Sequence, residues 1–154
     1  MADQHIRQAN VSDSAEIADL CALLWPDSTA AEHLAEIEPL LKTKICGGLP
    51  FAIFVSYDTK GKITGFLQVD LRSHADGCDP AQPTGYVEGW FVIEEYRRQG
   101  IGSAMMREAE EWARSLGCKE MASDTWIDER NSLQAHQSLG FEVVDRCIHF
   151  RKPL

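Results

Sequence analysis

Arg97-Arg98-Gln99-Gly100-Ile101-Gly102-Ser103 lies between a β-rich run, Tyr86 to Ile93, and a helical repeat in which Ile101, Met105, Ala109, Trp112 and Leu116 recur before Gly117. The spacing predicts a strand, a glycine turn and a helix closed by a glycine at its C-terminal end. Such an entry exposes unpaired backbone N–H groups at the positive end of the helix dipole. The missing β-carbons of Gly100 and Gly102 let a pyrophosphate approach them. A plain tight turn has the same pattern. Two other phosphate turns fit poorly. No Gly-Lys-Ser/Thr follows, as a nucleoside triphosphate loop requires, and a dinucleotide fold carries its glycine turn after the first parallel strand rather than a third or fourth.

Upstream, His5 to Ala9 reads as a short strand. Asp13-x-x-Glu16 resembles a capping box ahead of Ile17, Leu20, Cys21 and Leu24 at helical spacing, with the helix ending near Trp25-Pro26. A second helix starts after Ser28 and turns Leu34, Ile37 and Leu41 inward, while Pro39 opposes a continued hydrogen-bond ladder in its last turn. Phe51 to Tyr57 and Ile63 to Leu71 flank Asp58-Thr59-Lys60-Gly61-Lys62 as a hairpin, and Arg72 to Thr84, rich in Asp, Gly and Pro, reads as a loop. Downstream, Lys119 to Ser123 is a strand and Asn131 to Leu139 a short helix stopped by Gly140. Phe141 to Asp145 and Cys147 to Arg151 are expected to close the chain as a strand pair. The order β, α, α, β, β, β, α, β, α, β, β predicts an α+β fold, one mixed central sheet flanked by helices.

With 154 residues the chain is the size of one ordinary domain, and 1–154 is read as a single domain. Its 44% apolar and 25% charged residues exclude disorder and collagen-like structure. Fifteen basic against 24 acidic side chains give a net charge of −9, which repels nucleic acid and anionic lipid and attracts cationic partners. The same surplus serves solubility alone. No apolar run approaches the roughly 18 residues of a membrane span, and Met1-Ala2-Asp3-Gln4-His5 has no export-signal character, so a cytoplasmic protein without a membrane partner is expected. The five cysteines are odd in number, scattered and without a Cys-x-x-Cys pair, and the histidines have no metal-ligand spacing. Reduced thiols and no metal site are expected.

Arg97-x-x-Gly100-x-Gly102 after a strand ending Phe91-Val92-Ile93 resembles the acetyl-CoA-binding motif of the Gcn5-related N-acetyltransferases (GNAT), and Leu139-Gly140-Phe141 resembles their second motif. A narrower likeness runs through Leu24-Trp25-Pro26, Asp76-Gly77-Cys78-Asp79, Val87-Glu88-Gly89, Glu120-Met121-Ala122-Ser123-Asp124-Thr125 and His136-Gln137-x-Leu139-Gly140-Phe141. These are similar to segments of the aminoglycoside 6′-N-acetyltransferases. The resemblance implies a GNAT-like domain with splayed central strands, acetyl-CoA as cosubstrate without a metal, a cationic aminoglycoside as substrate, and a homodimer. A polycationic substrate agrees with the independent charge of −9.

By the same resemblance, backbone groups of Trp90, Phe91 and Val92 hold the pantetheine arm, while Arg98, Gln99, Gly100, Ile101, Gly102 and Ser103 hold the pyrophosphate. An N–H of the first segment could polarise the thioester carbonyl. Acetylating an amine at neutral pH requires removing an ammonium proton, and Glu88 and Asp124 are the candidate acceptors, both matching acidic positions that hold substrate in the family. Trp25, His74 and Asp145 match substrate-contacting positions, although His74 stands where relatives carry tyrosine and Asp145 is also explained as a surface charge. His136 occupies the place of a tyrosine that protonates the departing thiolate, or packs at the core edge. Glu129 stands where relatives favour a cofactor-contacting asparagine and lacks that amide donor, with Asn131 a substitute nearby.

The resemblance implies direct transfer of acetyl from acetyl-CoA to the 6′-amine of an aminoglycoside, without a cysteine or serine nucleophile, an activity that confers antibiotic resistance. An acidic cleft selects cations without naming them, so a polyamine or a peptide N-terminus is the alternative substrate, and a non-catalytic CoA-binding module is the alternative class.

Overall fold

Two long strands carry the architecture. In the computed structural model, which describes residues 5–154, Leu49–Tyr57 (β3) and Ile63–Arg72 (β4) form the predicted hairpin. Most of their residues are buried because helices cover both faces of the sheet. His5–Gln8 (β1) and the short Ile45–Cys46 (β2) pair with β3, Thr84–Val92 (β5) pairs antiparallel with β4, and Met121–Ser123 (β6) lies parallel to β5. The main strand order is β1-β3-β4-β5-β6, a mixed sheet.

Ser14–Leu24 (α1) and Ala30–Thr43 (α2) cover one face, where Ile17, Leu20, Cys21, Ile37 and Leu41 pack against Ile53, Val55 and Phe66. Ile101–Ser115 (α3) covers the other with Met105, Met106 and Ala109 against Leu67, Val69 and Val87, and Arg130–Ser138 (α4) meets Trp90 of β5 through His136. Pro39 is accommodated inside α2, which continues to a left-handed cap at Lys44. Thr29 and Glu32 cap its start reciprocally. Buried His33 joins the inward face that Ile37 and Leu41 define.

Two expectations are corrected. Asp13 does not cap α1 with its side chain; Asn10 and Asp13 instead cap a 3₁₀ turn at Val11–Asp13, and Asp13 takes two hydrogen bonds from Arg7 at 2.7 and 2.8 Å. That pairing holds its carboxyl below the ordinary carboxylate range. Glu16 accepts the Ile63 N–H at 3.0 Å, tying α1 to the start of β4. The expected strands Phe141–Asp145 and Cys147–Arg151 do not form. Neither run finds a ladder partner among the described residues, and Val144 packs instead on the loop, where a β-carbon at Gly77 would stand 2.5 Å from it.

Candidate active site

The parallel ladder between β5 and β6 ends at Val87 opposite Ser123, so Glu88 and Asp124 are the next residues on two strands that part company. Beyond this point β5 continues to Val92 paired only with β4, the predicted splay. Glu88 also sits at a bulge. Val69 pairs with Val87 and Gln68 with Gly89, leaving Glu88 as the extra residue and re-aiming its side chain. Its carboxylate accepts a hydrogen bond from Arg72, whose guanidinium lies 3.4 Å above the Tyr86 ring. Asp124 is exposed beside Tyr86, whose phenol is pushed up to about 12 by burial and then by the Asp124 charge.

A third carboxylate completes the cluster. Asp70, on β4 opposite Tyr86, is only 8% exposed; its Oδ1 is buried without a hydrogen-bond partner and stands 3.9 Å from Arg72 Nε. Burial, then the neighbouring Glu88 charge, raises its carboxyl to about 6. Asp70, Arg72 and Tyr86 were not singled out from the sequence. Their signal is the two-residue spacing of Asp70 and Arg72 on one strand and Tyr86 and Glu88 on the next, which only the strand register brings together.

Trp25, at the C-terminal end of α1, reaches the same place. A β-carbon at Gly89 would lie 2.5 Å from its indole, so glycine beside Glu88 lets the ring in. Trp25 also packs near Phe66 and His33, with ring centres 6.2 and 5.8 Å away. Exposed His74, 3.7 Å from Asp76, lines an open hollow of about 400 Å3 together with Cys46, Asp70 and Arg72. Asp145 is exposed on the C-terminal segment next to Val144, which rests on the loop that bears His74, and its carboxylate accepts the Arg146 N–H.

The glycine turn lies past the end of β5. Arg98 and Gly100 have φ of 64° and 79°, and the first intrahelical bond runs from the Ala104 N–H to the Gly100 carbonyl at 3.0 Å. The N–H groups of residues 101–103 therefore open outward from the α3 N-terminus, where a phosphate fits. Arg97 Nε donates to the Val92 carbonyl at 2.8 Å and fixes the turn to the strand. Ile101 anchors the helix in the core, Gln99 donates to the Glu95 carbonyl at 3.3 Å, and Ser103 is half-buried in the first turn. Gly102 has a reason other than phosphate approach: a β-carbon there would stand 2.9 to 3.1 Å from three atoms of Trp90. Trp90 and Val92 turn their side chains to the α3 core and Phe91 to the opposite one, leaving the strand's backbone edge beyond Val87 for a ligand.

His136 on α4 packs edge-on to Trp90 and Phe141, with ring centres 5.4 and 5.3 Å away. Its Nδ1 donates to the Ser132 carbonyl at 2.7 Å, leaving Nε2 to accept from the Ser123 hydroxyl at 2.8 Å. Both ring nitrogens are engaged. Glu129 is exposed at the N-cap of α4 without a capping bond, and Asn131 is exposed in the first turn. Among the described residues, no group of His, Cys, Asp or Glu is placed to hold a metal.

The stretch that carries the splayed strands, the open helix N-terminus and the acidic cluster lies within residues 17–141, which match the model of the Acetyltransferase (GNAT) family. The chain belongs to the GNAT acetyltransferase family. Among relatives of this GNAT chain, an aminoglycoside N(6′)-acetyltransferase type 1 of Klebsiella aerogenes is 38% identical over 149 residues, 97% of this chain and 96% of the relative. One from Stenotrophomonas maltophilia is 34% identical over 97% and 93%. Among solved structures, AAC(6′)-Iy in complex with the bisubstrate analog CoA-S-monomethyl-acetylneamine superposes with a TM-score of 0.87 at 32% identity, over 99% of this GNAT chain and all of the other.

Proposed function

We propose that this protein transfers acetyl from acetyl-CoA to the 6′-amine of aminoglycosides. The observation that carries the reading is the placement of Glu88 and Asp124 where β5 and β6 part, on the same strand edge that leads to the open α3 N-terminus. Bound acetyl-CoA supplies the thioester that the amine attacks directly. The N–H groups of residues 101–103 hold the phosphates, and the unpaired edge of Trp90, Phe91 and Val92 holds the arm. Glu88 and Asp124 pair with substrate ammonium groups and accept the proton that the attacking amine must lose, while Trp25 and His74 border the sugar. His136 must release the Ser123 hydroxyl before it protonates a thiolate, and its engaged ring favours orienting Trp90 over acid catalysis. The names and ligands of the relatives support the substrate class.

Incubation with acetyl-CoA and kanamycin or tobramycin, read by mass spectrometry, tests the reading: one acetyl group on the 6′-amine is expected. Acetylation of a polyamine or a peptide amine alone would reassign the substrate, and CoA binding without transfer to any amine would make the protein a binding module. A homodimer is part of the proposal. Val144, Ile148 and Phe150 are 63, 79 and 91% exposed on a segment without a ladder partner among the described residues, apolar area that a second copy would cover. Sedimentation at a monomer mass would remove the dimer. No helix among the described residues is long and apolar enough to cross a membrane, and with the chain's acidic charge this supports a cytoplasmic enzyme that works away from lipid and nucleic acid.

A further inference from the structure

A single cation, Arg72, stands between two carboxylates. It is bonded to Glu88, and its Nε lies 3.9 Å from the buried, partnerless Oδ1 of Asp70. A substrate ammonium arriving at Glu88 therefore meets a carboxylate already held by a guanidinium, and two cations on one partly screened carboxylate repel. We propose that Asp70 is a positioning residue that takes Arg72 over from Glu88 when a cationic substrate docks, leaving Glu88 to the substrate's ammonium. The proposal rests on the reading of Glu88 as a substrate-site carboxylate.

The geometry suits a short exchange. Closing 3.9 Å to a normal N–H···O distance needs a shift of roughly 1 Å. The guanidinium makes it while stacked on Tyr86, whose face supports the cation in either position. Arginine carries donors along both edges of its plane, so it can leave Glu88 through Nη2 and meet Asp70 through Nε. Two groups facing Asp70 hydrogen-bond with it without supplying a positive charge: Glu88 bonds the protonated carboxyl, and the Cys46 thiol reaches it from β2. Glu88 on β5 is a like charge, and Cys46 on β2 carries a thiol held protonated by burial and by the nearby Asp70 and Glu88 charges. Tyr86 already bears the guanidinium, and His74 lines the same hollow from the loop.

Charge balances across the step. One ammonium enters and the guanidinium moves to Asp70. Any proton on the Asp70 carboxyl, which burial raises to about 6, leaves for solvent as the new ion pair forms. Docking near pH 6 is accordingly coupled to release of a fraction of a proton, and docking at pH 8 is not. The Asp70 oxygen that lacks a partner, Oδ1, is buried next to Arg72, which places it to receive the guanidinium.

Calorimetric titration of the full chain with kanamycin tests the exchange. Asp70→Asn should weaken binding roughly tenfold, the scale of one charge-assisted hydrogen bond, with CoA affinity unchanged. On an Arg72→Gln background the same substitution should change binding less than about twofold, because no guanidinium remains to be received. At pH 6, titrations in buffers of different ionisation heat should show proton release by the parent and less by Asp70→Asn. Asp70→Ser serves as the second variant if Asn misfolds. Parent-like binding by Asp70→Asn, or equal losses on both backgrounds, would overturn the exchange while leaving the acetyltransferase reading intact. Failure of the parent to bind or acetylate any aminoglycoside would overturn both.

Discussion

Asp70→Asn should make the protein more stable at neutral and alkaline pH. The Asp70 carboxyl moves from an ordinary 3.8 in the unfolded chain to about 6 in the fold, because burial and the Glu88 charge penalise its ionised form. The folded state therefore binds more protons than the unfolded state between those values, and parent stability falls as pH rises through that window. Above about pH 7 the whole penalty is in force, at most about 3 kcal/mol at 1.36 kcal/mol per pKa unit. The Asn amide still buries a polar group, so a gain of about 2 kcal/mol is expected at pH 8. Near pH 4 the two proteins should be almost equally stable. Urea unfolding at pH 4, 6 and 8 reads the difference, which should open with rising pH. Parallel stability curves, or a variant weaker than the parent at pH 8, would refute the claim that Asp70 is a strained buried acid.

Gly102→Val should reduce acetyl-CoA affinity by roughly tenfold or more, because its branched side chain starts 2.9 Å from the Trp90 indole and must push the α3 N-terminus off β5; a folded variant with parental affinity in calorimetry would remove the turn from the site. Glu88→Gln should lower kcat about 10²-fold if Glu88 accepts the proton, and should raise KM with kcat retained if it only clamps an ammonium, with CoA binding unaffected in both cases. If Glu88→Gln and Asp124→Asn both behave as the parent, the substrate site lies elsewhere. If carboxylates supply much of the recognition, aminoglycoside affinity should fall steeply between low and physiological salt, and a flat response would count against the acidic cleft.

Legibility in the sequence followed the range of each interaction. The glycine turn, α3 and the β3–β4 hairpin are written in local spacing, and each formed within a few residues of expectation. Glu88 and Asp124 were found through short motifs, and the parallel register of β5 and β6 supplied their proximity. Asp70 and Arg72 were missed because nothing within β4 marks them: an acid and a base two residues apart in a strand look like surface charge until β5 puts Tyr86 and Glu88 beside them. The C-terminal strands failed for the opposite reason. Their β-branched and aromatic residues suit a strand, but a strand forms only where an edge exists to pair with, and β6 is three residues long.

The cluster also gives a reason for one arginine among the acids proposed to take cations. Three carboxylates around a cleft would repel one another before substrate arrives, and Asp70, the most buried, answers by holding its proton more tightly than an ordinary acid. Arg72 offsets the charge of Glu88 in the resting protein and, bonded to it, also blocks it. In the proposed exchange a monocation would gain only the pair that Arg72 then forms with Asp70, because its own contact with Glu88 replaces the one Arg72 gave up. A polycation would gain more: one ammonium would take the place of the guanidinium on Glu88 while others reach exposed Asp124, whose partner is the neutral Tyr86 phenol and not a cation. Discrimination between a single amine and an array of amines thus follows from the order in which the acids are occupied. If Arg72→Gln proved more accepting of simple monoamines than the parent, relative to kanamycin, that ordering would be visible directly in the ratio of their kcat/KM values.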